Sequence, residues 1–240
     1  MIRFAVAFTA LIAVPLAPAA AAVKAAPKAA AARDWSRTVA VTPEGGFRMG
    51  NPGARVKLVE YGSLACPHCR HFEETGFKPL VQKYVRTGQV SYEFRNLLLN
   101  GPDIAVSLLT RCSGPANFFP MSSVVYANQA SWSGKIQQAL SGLSDAQKAE
   151  MDKMTDQQRI VRYAELGNLP QLGARFGVTP ARARQCLSDP NALRRLIGMT
   201  EAANAAGVNH TPTFVINGKM TDAASWEQLE PLIRQAGARG

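Results

Sequence analysis

The run Cys66-Pro67-His68-Cys69 restricts the fold more than any other feature of this 240-residue chain. It follows residues 56–61, a short β-rich run typical of a buried strand, and it precedes apolar side chains at helical spacing. Pro67 suits the first position of a helix, so the sequence predicts that Cys66 lies at a helix N-terminus. A second strand over residues 90–95 predicts a right-handed β-α-β unit with parallel strands.

The remaining pattern predicts an α/β fold that is interrupted by helices. Residues 101–207 carry helix signals almost throughout, including two capping boxes. Strand character returns at residues 213–216, and Asn217-Gly218 then gives a strong hairpin turn signal. A last capping box at Ser225 predicts a terminal helix, whereas the Gly- and Pro-rich residues 42–52 predict a loop.

The N-terminus has the pattern of an export signal. Arg3 precedes an apolar stretch over residues 4–16, and Ala20-Ala21-Ala22 supplies small residues suited to cleavage. We therefore expect residues 1–22 to be a cleaved signal peptide and the chain to act in an oxidising compartment, the periplasm. An uncleaved membrane anchor is the alternative, although two prolines interrupt the segment.

Composition argues against several classes of protein. The chain carries a net charge of +10, but its aromatic residues, 8% of the total, are not interleaved with the basic ones, so no nucleic-acid partner is expected. Four cysteines are too few for a small disulfide-dense scaffold. No run after residue 23 is long and apolar enough to cross a bilayer. The positive charge indicates a solvated helix face or, alternatively, attraction to an anionic membrane surface.

Two cysteines three residues apart at a helix start can close a small disulfide ring and open it again. Unpaired backbone N–H groups and the positive end of the helix dipole favour a thiolate at Cys66, and His68 would favour it further. Such surroundings lower a cysteine pKa from about 8.5 by several units. A stabilised thiolate makes the oxidised pair a stronger oxidant. All four residues of the motif are therefore candidate catalytic residues, with Cys69 the less exposed thiol.

Other uses of the motif have weaker support. A structural zinc site needs a second Cys-x-x-Cys, which the sequence lacks, and haem attachment needs histidine where Arg70 stands. A soft-metal site that uses Cys66, Cys69 and the nearby His68 and His71 is an alternative. An inert structural disulfide is another, although so short a ring at a helix start would be exposed and strained. We expect neither a metal nor a cofactor.

Further residues show that the chain resembles the DsbA-like branch of the thioredoxin-fold thiol:disulfide oxidoreductases. Glu60, six residues before the motif, matches a buried acid of that family, and Phe72-Glu73-Glu74 also matches. Thr211-Pro212 matches the family's cis-proline loop, and the family carries a helical insertion where residues 101–207 lie. The resemblance covers roughly residues 47–236 and implies a thioredoxin fold with an inserted all-helical domain.

The N-terminal pattern and the resemblance together divide the chain into five expected parts. They are the signal peptide (1–22), a linker or N-terminal extension (23–46), the first part of the thioredoxin domain (47–100), the helical insertion (101–207) and the second part of the thioredoxin domain (208–240).

The same resemblance implies roles for individual residues. Cys66 is the sulfur that clients attack, Cys69 resolves mixed disulfides, and Glu60 moves protons to and from Cys69. The backbone of Thr211 pairs with an extended client peptide, and Pro212 is cis. A solvent-exposed carboxylate at Glu60 and an ordinary strand-entry residue at Thr211 are the alternatives.

The implied activity is donation of the Cys66–Cys69 disulfide to folding client proteins, followed by reoxidation by a membrane quinone-linked, DsbB-like oxidase. Thr211 leaves the direction of electron flow open, because threonine before the cis-proline is common in isomerase and reductase relatives. An isomerase or reductase kept reduced by a membrane partner is therefore the alternative. Residues 23–50 are too short and too rich in Pro and Gly for a dimerisation domain, which argues against the isomerase. We expect a monomer.

Cys112 and Cys186 both fall in the helical block, 74 residues apart. In an oxidising compartment they can form a structural disulfide, and some DsbA-like proteins have one there. Two buried free thiols, or pairing of either residue with a cysteine of the Cys66-Pro67-His68-Cys69 motif, are the alternatives.

Overall fold

The computed structural model describes residues 1–2, 4–5 and 33–239. Most of the predicted signal peptide, and the part of the predicted linker before residue 33, lie outside the described residues. Within the described part of the chain, no helix has the length and apolar character needed to cross a membrane.

A mixed sheet of six strands organises residues 33–239. The strands are β1 (Val39–Val41), β2 (Phe47–Gly50), β3 (Val56–Gly62), β4 (Val90–Asn96), β5 (Thr213–Ile216) and β6 (Lys219–Met220). Their spatial order is β1-β2-β4-β3-β5-β6. Strands β3 and β4 are parallel, and the other neighbours are antiparallel. Strand β3 is therefore an interior strand with one fully buried face.

The predicted β-α-β unit with parallel strands is confirmed. Helix α1 (Pro67–Phe72) starts directly after Cys66 and continues through two π-helical segments, Glu73–Phe77 and Leu80–Val85, before β4 begins. Gly76 lies where the first π segment packs tightly, since a Cβ at this position would lie 2.6 Å from the ring of Phe72. The helix departs from α-helical geometry at this glycine.

Eight helices lie between β4 and β5 in the described chain. They are α2 (Gly101–Cys112), α3 (Pro115–Ala127), α4 (Gln129–Ser141), α5 (Asp145–Lys153), α6 (Asp156–Leu166), α7 (Leu169–Ala174), α8 (Pro180–Leu187) and α9 (Pro190–Ala205). Both predicted capping boxes, at Ser144 and Thr155, are present. Phe118 of α3 stacks on Phe47 of β2 with ring centroids 3.9 Å apart, so the inserted helices share a core with the sheet.

The C-terminal hairpin forms as predicted, and the chain ends in α10 (Trp226–Gln235). Asn217 and Gly218 both have positive φ, 49° and 82°, as a tight hairpin turn requires. The capping box predicted at Ser225 is wrong, because the Ser225 side chain makes no cap hydrogen bond. Gln228 instead reaches one residue further back and accepts the backbone N–H of Ala224 at 2.8 Å.

The loop predicted over residues 42–52 is partly wrong. Strand β2 lies within it and pairs with β4 in the register Phe47↔Phe94 and Met49↔Tyr92. Strand β1 and a 3₁₀ turn, Trp35–Arg37, also lie within the stretch predicted as linker or extension. Flanking glycines and prolines conceal the short alternation of β2, and its pairing depends on β4, which lies far away in the sequence.

Candidate active site

Cys66 is the N-cap residue of α1, with an extended backbone. The hydrogen bond from the Cys69 side chain is the main cause that lowers the pKa of Cys66 to about 5, against the effect of burial. The side chain of Thr211 and the backbone N–H groups of Cys69 and His68 lower this pKa further. Cys66 is therefore a thiolate at neutral pH. Its neighbours Pro67 and His68 are exposed, so the first turn of α1 is open to a partner.

Cys69 lies one turn deeper in α1, and only 1% of its surface is exposed. The backbone N–H of Ser63 donates to its sulfur at 3.5 Å. Burial raises the pKa of Cys69 well above its ordinary value, and hydrogen bonding to Cys66 and the charge of Glu60 raise it further. Neither motif cysteine forms a disulfide in this structure, and their pKa values move in opposite directions.

Glu60 occupies the buried face of β3 and is 2% exposed. The hydroxyl of Tyr92, on the neighbouring strand β4, donates to Glu60 Oε2 at 2.5 Å. Burial raises the pKa of Glu60 to about 8, although the hydrogen bond from Tyr92 lowers it. The carboxyl therefore carries a proton at neutral pH. The solvent-exposed alternative for this residue is wrong.

Glu73 belongs to the same cluster of acids. It lies in the π segment that follows α1, and it accepts a hydrogen bond from the hydroxyl of Ser123 of α3. Burial raises the pKa of Glu73 to about 7, and its charge in turn raises the pKa of Glu60. The sequence identified Glu73 only as a match to a family pattern and missed Ser123.

The inserted helices hold the loop that precedes the motif. The Gln129 amide of α4 donates to the carbonyl oxygens of Leu64 at 2.9 Å and Cys66 at 3.0 Å. The Tyr126 hydroxyl donates to the Ser63 carbonyl at 3.1 Å. Sequence reasoning missed both residues, because nothing local to a helix shows that its polar side chains satisfy a distant loop. Sequence reasoning also missed Tyr92 as the partner of Glu60. Its one local signal was its place among the alternating residues of β4 that point into the core.

The loop before β5 faces the motif. The Thr211-Pro212 peptide bond is cis, and the Thr211 carbonyl oxygen lies 3.4 Å from the sulfur of Cys66. The hydroxyl of Thr213 donates to the carbonyl of His210 at 2.7 Å and so closes this loop on itself. Thr211 is thus in contact with the sulfur of Cys66, rather than only leading into a strand.

Cys112 and Cys186 are bonded to each other, with Cα atoms 6.0 Å apart. Their disulfide joins the end of α2 to α8, and both residues are half-buried. Within residues 1–2, 4–5 and 33–239, no group of three or more His, Cys, Asp or Glu side chains is placed to hold a metal ion.

A family model described as thioredoxin matches residues 42–235. This chain belongs to the thioredoxin family. A protein-disulfide isomerase from Novosphingobium aromaticivorans is 30% identical, with a TM-score of 0.70 over 79% of this chain and 96% of its own. Alpha-DsbA1 of Wolbachia pipientis, 20% identical, has the same fold, with a TM-score of 0.64 over 81% of this chain and 92% of its own.

A relative in Rickettsia bellii, named as a protein-disulfide oxidoreductase, is 30% identical over 190 residues. The match takes in 78% of this chain and 63% of that protein. The chain thus spans a little under two thirds of the length of this curated relative. The thioredoxin fold with an inserted helical domain, expected from the sequence, is confirmed.

Proposed function

We propose that this DsbA-like chain is an exported thiol:disulfide oxidase that donates the Cys66–Cys69 disulfide to folding client proteins. The observation that carries the proposal is that two neighbouring pKa values shift in opposite directions. The pKa of Cys66 is lowered to about 5, and that of Cys69 is raised well above its ordinary value. A stable thiolate at Cys66 favours the reduced pair and makes the disulfide a strong oxidant.

The exchange proceeds in two steps. A client thiolate attacks Cys66, the Cys66–Cys69 bond breaks, and Cys69 leaves with the electron pair. Glu60, protonated at neutral pH, supplies a proton to Cys69, whose high pKa favours the thiol. A second client thiolate then attacks the client sulfur of the mixed disulfide, and Cys66 leaves as a thiolate. The client loses two electrons and the Cys66–Cys69 pair gains them.

The loop at Thr211 supports client binding beside the reactive sulfur. Its backbone lies against Cys66 and can pair with an extended peptide, a mode of recognition in which main-chain hydrogen bonds give affinity. The exposed Pro67 and His68 would form the other side of this contact. We propose that the enzyme acts as a monomer in the periplasm and that a membrane quinone-linked, DsbB-like oxidase restores the disulfide.

A disulfide isomerase is the second candidate, supported by Thr211 before the cis-proline and by the name of the Novosphingobium aromaticivorans relative. Two assays separate the candidates. An oxidase oxidises a reduced client stoichiometrically but rescues little scrambled ribonuclease, whereas an isomerase rescues scrambled ribonuclease when supplied in reduced form. A Cys69→Ala variant should accumulate mixed disulfides with clients, and a Cys66→Ala variant should accumulate none. Equal trapping by both variants would overturn the assignment of Cys66 as the attacked sulfur.

A further inference from the structure

A cleft of about 850 Å³ lies between α8, α9 and the turn that joins β1 to β2. This volume falls within the range of small-molecule sites. The residues that line the cleft include none of Cys66, Cys69 and Thr211, so the cleft is separate from the candidate active site. The Cys112–Cys186 disulfide forms part of its wall.

Small residues on α9 leave the space open. The cleft side of this helix carries Ala192, Gly198 and Ala202, spaced so that they lie along one face, and Ala206 follows directly after the helix. A Cβ built on Gly198 would meet no atom within 4 Å. Further apolar lining comes from three larger side chains, Phe47, Leu108 and Met199. The cleft therefore has room for an apolar body alongside the helix.

The polar lining is dominated by arginines. Four of them, Arg95, Arg111, Arg182 and Arg195, face the cleft. Arg95 is paired with Glu93 at 2.7 Å and Glu44 at 3.5 Å. Arg195 has only a distant partner, Asp189 at 3.8 Å.

Arg111 and Arg182 have no carboxylate within 4.0 Å among the described residues. Arg111 donates to Asn96 Oδ1 at 3.0 Å and to the carbonyl of Gly45 at 2.7 Å, and Arg182 donates to Gln185 Oε1 at 3.0 Å. The guanidinium of Arg111 also lies 4.7 Å from the ring centroid of Phe47, and Arg182 is exposed to solvent, so neither positive charge has an acidic partner in the described part of the chain.

Arg111 bears the largest electrostatic cost. Burial, together with the charge of Arg195, lowers the pKa of Arg111 to about 10. A guanidinium that is largely withdrawn from water without an acidic partner is unfavourable, and a bound anion would relieve that cost. The disulfide holds this arrangement, because Cys112 is the next residue after Arg111 and Cys186 lies one turn beyond Arg182.

We propose that this cleft binds an organic anion in which a carboxylate or phosphate head group is joined to an apolar body. The head group accepts hydrogen bonds from Arg111 and Arg182, and arginine suits both oxyanions because its N–H groups match their geometry. The apolar body lies along the small residues of α9.

Calorimetric titration of the purified protein with decanoate, decyl phosphate, inorganic phosphate and decyltrimethylammonium tests the proposal. One or both amphiphilic anions should bind saturably with one molecule per chain. The two anions distinguish a carboxylate from a phosphate head group. Binding of inorganic phosphate as tight as that of decyl phosphate, binding of the cation as tight as that of the anions, or no binding of either amphiphilic anion would overturn the proposal.

Matched variants locate the site. Arg182→Gln should raise the Kd of the anion by about tenfold or more, because a charge-assisted hydrogen bond is lost. Arg184→Gln changes the net charge equally but lies outside the cleft, and it should leave the Kd unchanged. Gly198→Leu should abolish binding by filling the space, whereas Gly134→Leu, on the exposed surface of α4, should not. Equal effects within either pair would place the binding elsewhere and overturn the proposal.

Discussion

Tyr92 donates its hydroxyl to Glu60 across 2.5 Å, from one interior strand to the next. The carboxyl is 2% exposed, and the tyrosine is the polar partner that compensates its burial. Glu60 therefore has a pKa near 8 and can change its protonation state at the pH where thiols exchange. Burial raises the pKa of Glu60 and the hydrogen bond from Tyr92 lowers it, so the two effects together set the pH at which the carboxyl loses its proton.

The first prediction concerns the pH dependence of stability. The pKa of Glu60 is raised on folding, so its favourable contribution is fully present below its ordinary pKa, 4.5, and is lost as the pH rises through about 8. The free energy of unfolding of the reduced wild type, minus that of Glu60→Gln, should fall by at most about 1.4 kcal/mol per pH unit over this window. Urea unfolding at several pH values measures it. A difference that does not change with pH would show that Glu60 keeps its ordinary pKa. In Tyr92→Phe the pKa of Glu60 should rise further, because the hydrogen bond that lowers it is lost. The fall in stability should then continue to a higher pH.

The second prediction concerns the redox potential of Cys66 and Cys69. Between pH 5 and 8 reduction should take up one proton, because Cys66 remains a thiolate and Cys69 is a thiol. The potential should then fall by about 30 mV per pH unit, and by about 59 mV per unit below pH 5, where both sulfurs are protonated. Equilibration with glutathione buffers measures both slopes.

A parallel measurement on Glu60→Gln removes any proton that Glu60 exchanges near pH 8. A slope of about 59 mV per unit near neutral pH in both proteins would mean that Cys66 is an ordinary thiol.

The thiolate also stabilises the folded reduced protein. That contribution is fully present above the ordinary pKa, 9.0, and is lost as the pH falls through about 5.

The third prediction concerns Gln129, which is 4% exposed and satisfies the Leu64 and Cys66 carbonyls. Gln129→Ala should reduce the free energy of unfolding by about 1–3 kcal/mol, because two buried carbonyls lose a donor. Chemical denaturation measures this cost. Gln138→Ala, on the exposed side of the same helix, is the matched control and should have little effect. Equal stabilities of the two variants would show that the inserted helix does not support the motif.

The fourth prediction concerns the second disulfide. Cys112 and Cys186 are separated by 74 residues, and a cross-link that closes so long a loop stabilises the fold by about 4 kcal/mol in the chain-entropy model. The double variant Cys112→Ala/Cys186→Ala should be less stable by up to this amount in urea unfolding. An unchanged midpoint and slope would assign no stabilising role to the bond.

The sequence alone determined which residues begin and end several elements, because these signals act over a few residues. Pro67 after Cys66 predicted the helix start that holds a sulfur beside free N–H groups, and Asn217-Gly218 predicted the hairpin turn. The capping box predicted at Ser225 does not form, because Gln228 accepts the backbone N–H of Ala224 instead. Strand β2 was missed because its pairing partner, β4, lies far away in the sequence.

Only the tertiary structure decided the chemistry of the candidate site. The pKa of a side chain depends on which groups exclude water from it and which donate to it, and these come from distant parts of the chain. Tyr92 reaches Glu60 over 32 residues of sequence, and Gln129 reaches Cys66 over 63. Thr211 meets Cys66 over 145 residues. No local pattern carries these distances, so the sequence could identify the candidate sulfur and the N–H groups of its own helix start, but not the contact with Thr211 or the partners of Glu60.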